Sequence, residues 1–284
     1  MNIEQLIKEY EAKKKSLKEY DSYINSVREY KGYIFKEVKN LEKFKNECEW
    51  LKKLNNLKFY TSQIIDTYND EIIIMEKIKG IAIKDEKSNQ HLYNIGKLMA
   101  DLHNISIKQS NIDWKEIMIS EYRELRNIAK DIMDNKLFEI TTKFLEDRLE
   151  KLNVTKLSII HRDLRPENVI FSNGEYYLVD LESMCIGDRD YDFTRMWNLL
   201  NEKEIYQYND FKNLMDGYKS INNSLKIVEE KWQLYNKFYA FRIYSKMLAG
   251  KINRDSKFEN YLKSILMTKQ DRVTEWIKRY NKES

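Results

Sequence analysis

The chain has 284 residues, enough for two modest lobes with cores of their own, and its 34% charged against 42% hydrophobic residues exclude a disordered chain. Basic residues number 50 and acidic ones 46, a net charge of +4, so the total gives no case for nucleic acid or a membrane as partner. Apolar runs such as Ile72–Met75 fall far short of the roughly 20 residues of a membrane span, and the N-terminal MNIEQLIKEYEAKKK lacks the apolar region of a targeting segment.

Cys48 and Cys185 lie far apart with no CxxC spacing, and the chain holds only three histidines. Neither a disulfide framework nor a zinc site is expected, and a reduced cytoplasmic setting is.

In chain order, Ile3, Leu6, Ile7 and Tyr10 recur at helical spacing and predict an amphipathic helix within residues 3–20. Two strand-like runs follow, 23–30 and 33–38, joined by a Lys31-Gly32 turn. Phe44, Cys48, Leu51 and Leu54 then form one stripe of a helix over 41–54. Residues 57–68 read as a short strand and loop, and 71–76 as a buried strand. Beyond Lys77-Ile78-Lys79-Gly80 the pattern turns helical, with Leu92, Ile95, Leu98, Met99, Leu102 and Ile105 in register, then a helical stretch over 114–152. A strand-and-loop island at 158–188 interrupts it, and helical spacing resumes from 192. The order predicts an α+β chain: a small strand-rich N-lobe over 1–78 and a large, mainly helical C-lobe over 79–284.

The island carries the chemistry. Asn173-Gly174 is a strong hairpin signal, because a type I′ turn needs positive φ at both central residues. Folding back there sets 169–171 against 176–178 and leaves Asn168 and Asp180 together at the open end. An amide oxygen and a carboxylate so placed are hard ligands suited to Mg2+ carrying phosphate oxygens. Asp163, in a loop stiffened by Pro166, is a group to orient a hydroxyl beside that metal and accept its proton. On the strand before the first long helix, alternation puts Lys36 on the face of Ile34 and Val38. A lysine on an apolar face calls for a partner, and a phosphate supplies one.

His161-Arg162-Asp163-Leu-Arg-Pro-Glu-Asn168 resembles the kinase catalytic loop, and Leu-Val-Asp180-Leu-Glu182 its metal-binding aspartate. The following Gly187-Asp188-Arg-Asp190-Tyr-Asp192-Phe193 is similar to the segment found in aminoglycoside phosphotransferases and choline kinases. The resemblance implies a two-lobed protein-kinase-like fold with an antiparallel N-lobe sheet. It also implies transfer of a γ-phosphate from ATP or GTP, with Mg2+, to a small-molecule hydroxyl, aminoglycoside-like or an amino alcohol such as choline. Antibiotic resistance is the leading role it implies. In that family Asp163 would be the base, Asn168 and Asp180 the metal ligands, and Asp192 a brace for the loop. Arg165 would face the γ-phosphate or neutralise Glu167. Lys36 would pair with the α/β-phosphates and Glu47 would hold it, with Glu49 as competitor. The Glu76 carbonyl and Ile78 amide would bond the base edge, with Met75 behind.

The sequence departs from that pattern in having no glycine-rich phosphate loop, which leaves backbone amides near Asp21–Ser26 to cover the phosphates and the choice of ATP or GTP open. Glu182 stands where protein kinases have glycine, supporting a second metal, standing behind the metal's ligands, or solvated. No proline follows Pro166, so the Ala-Pro-Glu segment of a protein kinase is missing. A non-catalytic, spore-coat-type protein on the same fold is the other alternative, disfavoured by the retention of Lys36, Asp163, Asn168 and Asp180. For the acceptor, residues 200–284 hold 17 basic and 11 acidic residues, which gives no support to an acidic pocket for a polycation. Asp188 or Asp190 would have to supply it. Trp197, Trp232, Tyr235 and Tyr239 form either an aromatic box for a quaternary ammonium or part of the core.

Overall fold

The computed structural model describes residues 2–20, 25–83, 88–107, 111–202, 208–223, 225–252, 255–268 and 272–283. Its elements begin with α1 (Ile3–Lys13), β1 (Glu19–Tyr20), β2 (Ser26–Tyr30), β3 (Tyr33–Glu37), α2 (Leu41–Asn56), β4 (Ile64–Tyr68), β5 (Ile72–Glu76) and β6 (Ile81–Ala82). Next come α3 (Asn89–Asn104), α4 (Trp114–Ala129), α5 (Asn135–Glu150), β7 (Ser158–Ile160), β8 (Val169–Ser172), β9 (Glu175–Leu178) and β10 (Cys185–Gly187). The chain ends in α6 (Asp190–Glu202), α7 (Tyr208–Ile221), α8 (Glu229–Leu248), α9 (Ser256–Met267) and α10 (Arg272–Glu283). Two compact units result, one of Met1–Lys87 with Pro166–Met184, the other of Ser88–Arg165 with Cys185–Ser284.

The first unit is built on an antiparallel sheet in the order β1-β2-β3-β5-β4. The predicted helix over 3–20 is shorter than expected. It ends at Lys13, passes through a 3-10 turn at Lys14–Ser16, and gives way to the edge strand β1. Past Tyr10 the sequence offers little more to bury: Leu6 and Tyr10 pack with Tyr30, Phe35, Ile72 and Ile74 on one sheet face, the Tyr10 and Phe35 rings stacked at 3.9 Å. A second sheet, β6-β8-β9, closes as the sequence predicts. Asn173 and Gly174 have φ of 51° and 86°, and Val169 pairs with Leu178, Phe171 with Tyr176. Residues 79–82 are laced to this hairpin, with Ile81 opposite Phe171 and the Ser172 hydroxyl donating to the Lys79 carbonyl at 2.7 Å.

The second unit is mainly helical. The expected stretch over 114–152 is two helices, because Asp113 caps α4 and Asp134 caps α5, each side chain accepting a backbone N–H of its first turn. Its core joins Trp114, Met118 and Tyr122 of α4, Leu145 of α5, Ile160 of β7, Tyr235, Phe238 and Phe241 of α8, and Leu262 of α9. Helices α3 and α7 approach until backbones touch. A Cβ on Gly96 would lie 1.9 Å from the Leu214 carbonyl oxygen and one on Gly217 1.9 Å from that of Tyr93, so only glycine fits either position. The short antiparallel pair β7–β10 sets Ile160 against Cys185. Both cysteines are free thiols, and burial pushes Cys48 up to about 11 and Cys185 up to about 12. No described helix is long and apolar enough to cross a membrane.

Candidate active site

In the first unit, β3 delivers Lys36 to the sheet face opposite Phe35, as strand alternation requires. Its ammonium is 5% exposed and lies 2.7 and 2.9 Å from the two Glu47 oxygens and 2.5 Å from Asp180 Oδ1. Burial alone would strip its proton, but the Glu47 and Asp180 carboxylates outweigh that and hold the lysine above its ordinary range. Glu47 sits on the buried face of α2, whereas its sequence competitor Glu49 is exposed.

Asp180 follows β9 in a left-handed conformation, φ 63° and ψ 62°, a strain of about 1 kcal/mol for a non-glycine residue. The hairpin register sets Asn168 opposite Val179, whose N–H bonds the Asn168 carbonyl at 3.0 Å, so Asp180 lies one residue beyond Asn168 rather than beside it. The two-residue turn causes this, pairing Ser172 with Glu175 and fixing every partner from there. Asn168 is buried in the 3-10 turn Pro166–Asn168.

Beyond Asp180, α2 grips the chain. Asn46 Nδ2 donates to the carbonyls of Glu182 and Met184, both at 3.0 Å, and Trp50 Nε1 to that of Met184 at 2.9 Å. Lys43 Nζ pairs with Glu182 Oε1 at 2.6 Å, and Asn25 Nδ2 donates to Glu182 Oε2 at 2.6 Å. Glu182 is therefore enclosed, not solvated. Lys36 Nζ is 3.9 Å from its Oε2. Sequence reasoning missed Lys43, Asn46 and Trp50, although their spacing places all three on the Glu47 side of the helix. Carboxylate oxygens of Glu47, Asp180 and Glu182 lie within 4.8 Å of one another, a hard-oxygen donor set of the kind Mg2+ takes. Of the residues expected to cover phosphates, 21–24 lie outside the described residues, and Ser26 opens β2. Glu76 closes β5 with its N–H on the Gln63 carbonyl at 2.9 Å, and Ile78 follows in the irregular segment before β6.

In the second unit the loop after β7 holds Asp163 against α6. Arg195 donates to Asp163 Oδ1 through Nη2 at 2.6 Å and Nε at 3.1 Å, and Arg165 Nε lies 3.7 Å from Oδ2. Burial would raise this carboxyl, but Arg195 and Arg165 overcome it and hold Asp163 below the usual carboxylate range. The brace expected of Asp192 is plain in the hydrogen bonds. Its buried carboxylate accepts the N–H groups of His161 at 2.8 Å and Arg162 at 2.7 Å, and His103 Nε2 of α3 stands 3.2 Å away. These bonds hold Arg162 at φ 63°, a second left-handed residue in a segment of chemical interest. The Arg162 guanidinium pairs with Glu121 at 2.8 Å.

The residues considered for acceptor recognition are spoken for. Asp188 and Asp190 are buried and share Lys231 at 3.0 and 2.8 Å, and the Tyr235 hydroxyl donates to Asp188 at 2.8 Å. Trp232 stacks on Phe193 and Trp276, and Trp197 packs against Phe211 and Trp276. All four aromatics, Tyr239 included, are buried, so they belong to the core and line no open box.

The model of the phosphotransferase enzyme family matches residues 28–213, a span that contains Lys36, Glu47, Asp163, Asn168, Asp180 and Arg195. No curated protein matches the chain by sequence. In structure, the chain is similar to choline kinase LicA from Streptococcus pneumoniae, with 17% identity, TM-score 0.66, and 98% of this chain and 99% of that one covered. It is also similar to an aminoglycoside-3'-phosphotransferase of type VIII, with 15% identity, TM-score 0.65 and coverage of 84% and 98%. A third likeness is to the amicoumacin kinase hAmiN in complex with AMP-PNP, Ca2+ and Ami, with 13% identity, TM-score 0.67 and coverage of 93% and 92%. These likenesses establish a protein-kinase-like α+β fold.

Proposed function

We propose, because this chain belongs to the phosphotransferase enzyme family, that it moves the γ-phosphate of ATP or GTP onto the hydroxyl of a small molecule with Mg2+. The observation that carries the reading is the buried Lys36 ammonium, joined to Glu47 and to Asp180, 144 residues away, in a unit rich in clustered carboxylates. A lysine fixed by two carboxylates is pre-set to meet phosphate oxygens without first paying to order its side chain.

In this reading Glu47 holds Lys36 and Lys36 meets the α/β-phosphates. Asn168 and Asp180 ligate Mg2+, with Glu182 and Glu47 close enough to Asp180 to bear on the same ion. Held by these residues, Mg2+ would supply charge neutralisation for the phosphates. The Glu76 carbonyl and Ile78 amide hold the base edge, with Met75 behind. Arg165 faces the transferred phosphoryl group. Asp163 accepts the acceptor's hydroxyl proton. A carboxylate held ionised, as Asp163 is, suits a late proton transfer in which orientation matters more than basicity.

The amicoumacin kinase complex with AMP-PNP and Ca2+ supports a nucleotide donor with a divalent cation. The likenesses to a choline kinase and an aminoglycoside phosphotransferase support an amino alcohol or an aminoglycoside-like acceptor, and with it a role in antibiotic resistance. Two free thiols and a nucleoside triphosphate donor fit a cytoplasmic location.

The test is ADP and GDP release by the purified protein with Mg2+ over a panel of aminoglycosides, choline, ethanolamine, homoserine and methylthioribose, with Asp163→Asn as control. Release stimulated by one compound and lost in the control is the expected result. No binding of either nucleotide would overturn the reading.

A further inference from the structure

Arg195 is absent from the catalytic-loop string, yet it makes close contact with Asp163. It lies 32 residues further along, on α6, and spends two N–H groups on one oxygen, Oδ1, at 2.6 and 3.1 Å. Its own side chain is 13% exposed, and its guanidinium carbon sits 4.8 Å from the centre of the buried Tyr239 ring on α8. The Tyr239 ring lies against the guanidinium, and the two N–H groups converging on Oδ1 anchor that carboxylate oxygen. A buried guanidinium needs a carboxylate partner wherever it lies. Here the partner is the one carboxylate whose orientation the reaction depends on.

We infer that Arg195 is a positioning residue for phosphoryl transfer: held against Tyr239, it anchors Oδ1 of the Asp163 carboxylate with two donors and thereby sets the alignment of the acceptor hydroxyl. The inference rests on the reading of Asp163 as the acceptor of the hydroxyl proton. Lysine cannot substitute, because an ammonium on a flexible stem restores charge near Oδ1 without the guanidinium's two rigidly spaced donors. Three groups bear on the charge of Asp163: Arg195 from α6, Arg165 from its own loop and His161 from the end of β7. Removing Arg195 takes away the largest charge effect that keeps Asp163 ionised, so its protonation moves to higher pH.

The experiment compares wild type, Asp163→Asn, Arg195→Met and Arg195→Lys. It measures nucleoside diphosphate release from pH 4.5 to 9, Mg2+-nucleotide affinity and thermal melting. Asp163→Asn turning over like wild type would remove the premise itself, whatever Arg195 does. With the premise intact, Arg195→Met lowers kcat about 10- to 100-fold, the scale of a misoriented reacting group. Its nucleotide affinity stays unchanged, and the acid limb of kcat/KM moves to higher pH. Arg195→Lys keeps the limb near its wild-type position but loses kcat, since charge is restored and the fork is not. Wild-type kcat in folded Arg195→Lys overturns the inference. So does a loss in Arg195→Met that matches its loss of folded protein while the limb stays put. If Arg195→Met does not fold, the kcat of Arg195→Lys alone decides.

Discussion

The two units carry charged groups of opposite imbalance. Around Lys36, three carboxylates (Glu47, Asp180 and Glu182) face two ammoniums, Lys36 and Lys43. Around Asp163, the carboxylate meets the guanidiniums of Arg165 and Arg195. Buried charge is costly unless matched, so a surplus of either sign marks a place prepared for a counter-charge. In the proposed reading the first group takes a cation and the second anionic oxygen.

The comparison breaks most visibly at Asp163. Asp163→Asn keeps shape and removes the charge, and turnover falls about 10³-fold, within the range of positioned acid–base groups. Mg2+-nucleotide affinity stays at its wild-type value, because the group around Lys36 is untouched. Nucleoside diphosphate release and titration calorimetry read the two separately, and retained turnover would remove Asp163 as the base.

Asp180→Ala strikes the other imbalance. It deletes a carboxylate that Lys36 holds at 2.5 Å, and the metal-dependent part of nucleotide affinity falls about 100-fold, the upper range for disturbing a metal site. The readout is nucleotide affinity with and without Mg2+. An unchanged difference between the two would count against a ligand role.

Asp192→Ala tests structure without touching either imbalance. Two N–H groups, the buried one of His161 and the partly buried one of Arg162, lose their acceptor at once, at a cost of about 3 kcal/mol. A lower melting temperature with wild-type Mg2+-nucleotide affinity is expected. Wild-type melting would show that other groups carry the loop.

Which parts of this comparison were legible in the sequence follows from how local each signal is. Lys36 was readable from strand alternation, and Asp163, Asn168 and Asp180 from one short string closed by Asn173-Gly174. Arg195 and Lys43 were not, because their partners lie 32 and 139 residues away and a lysine-rich chain gives no reason to single either out. The division of the chain behaved likewise. Local patterns favour a cut near 78, whereas the compact first unit also gathers Pro166–Met184, brought in by the pairing of Ile81 with Phe171. Long-range pairing leaves no local period to read. Asp113 and Asp134, by contrast, were ordinary capping signals that the apolar spacing over 114–152 obscured.

The smallest effect belongs to Lys43, and it sharpens the comparison most. Its ammonium is 37% exposed and sits 2.6 Å from Glu182, where it offsets part of the surplus that would draw a metal. Half-exposed pairs are worth little, so Lys43→Met shifts binding about 2- to 5-fold. The direction carries the information. If Glu182 bears on the metal, removing its competing cation lowers the Mg2+ concentration that half-saturates nucleotide binding. If Glu182 only anchors the turn after Asp180 to α2, the same substitution loosens that turn and raises the Mg2+ requirement. A lowered requirement that is abolished by adding Glu182→Gln places Glu182 with Asp180 in the group that meets the ion. A raised requirement leaves the cation to Asp180 and its remaining neighbours.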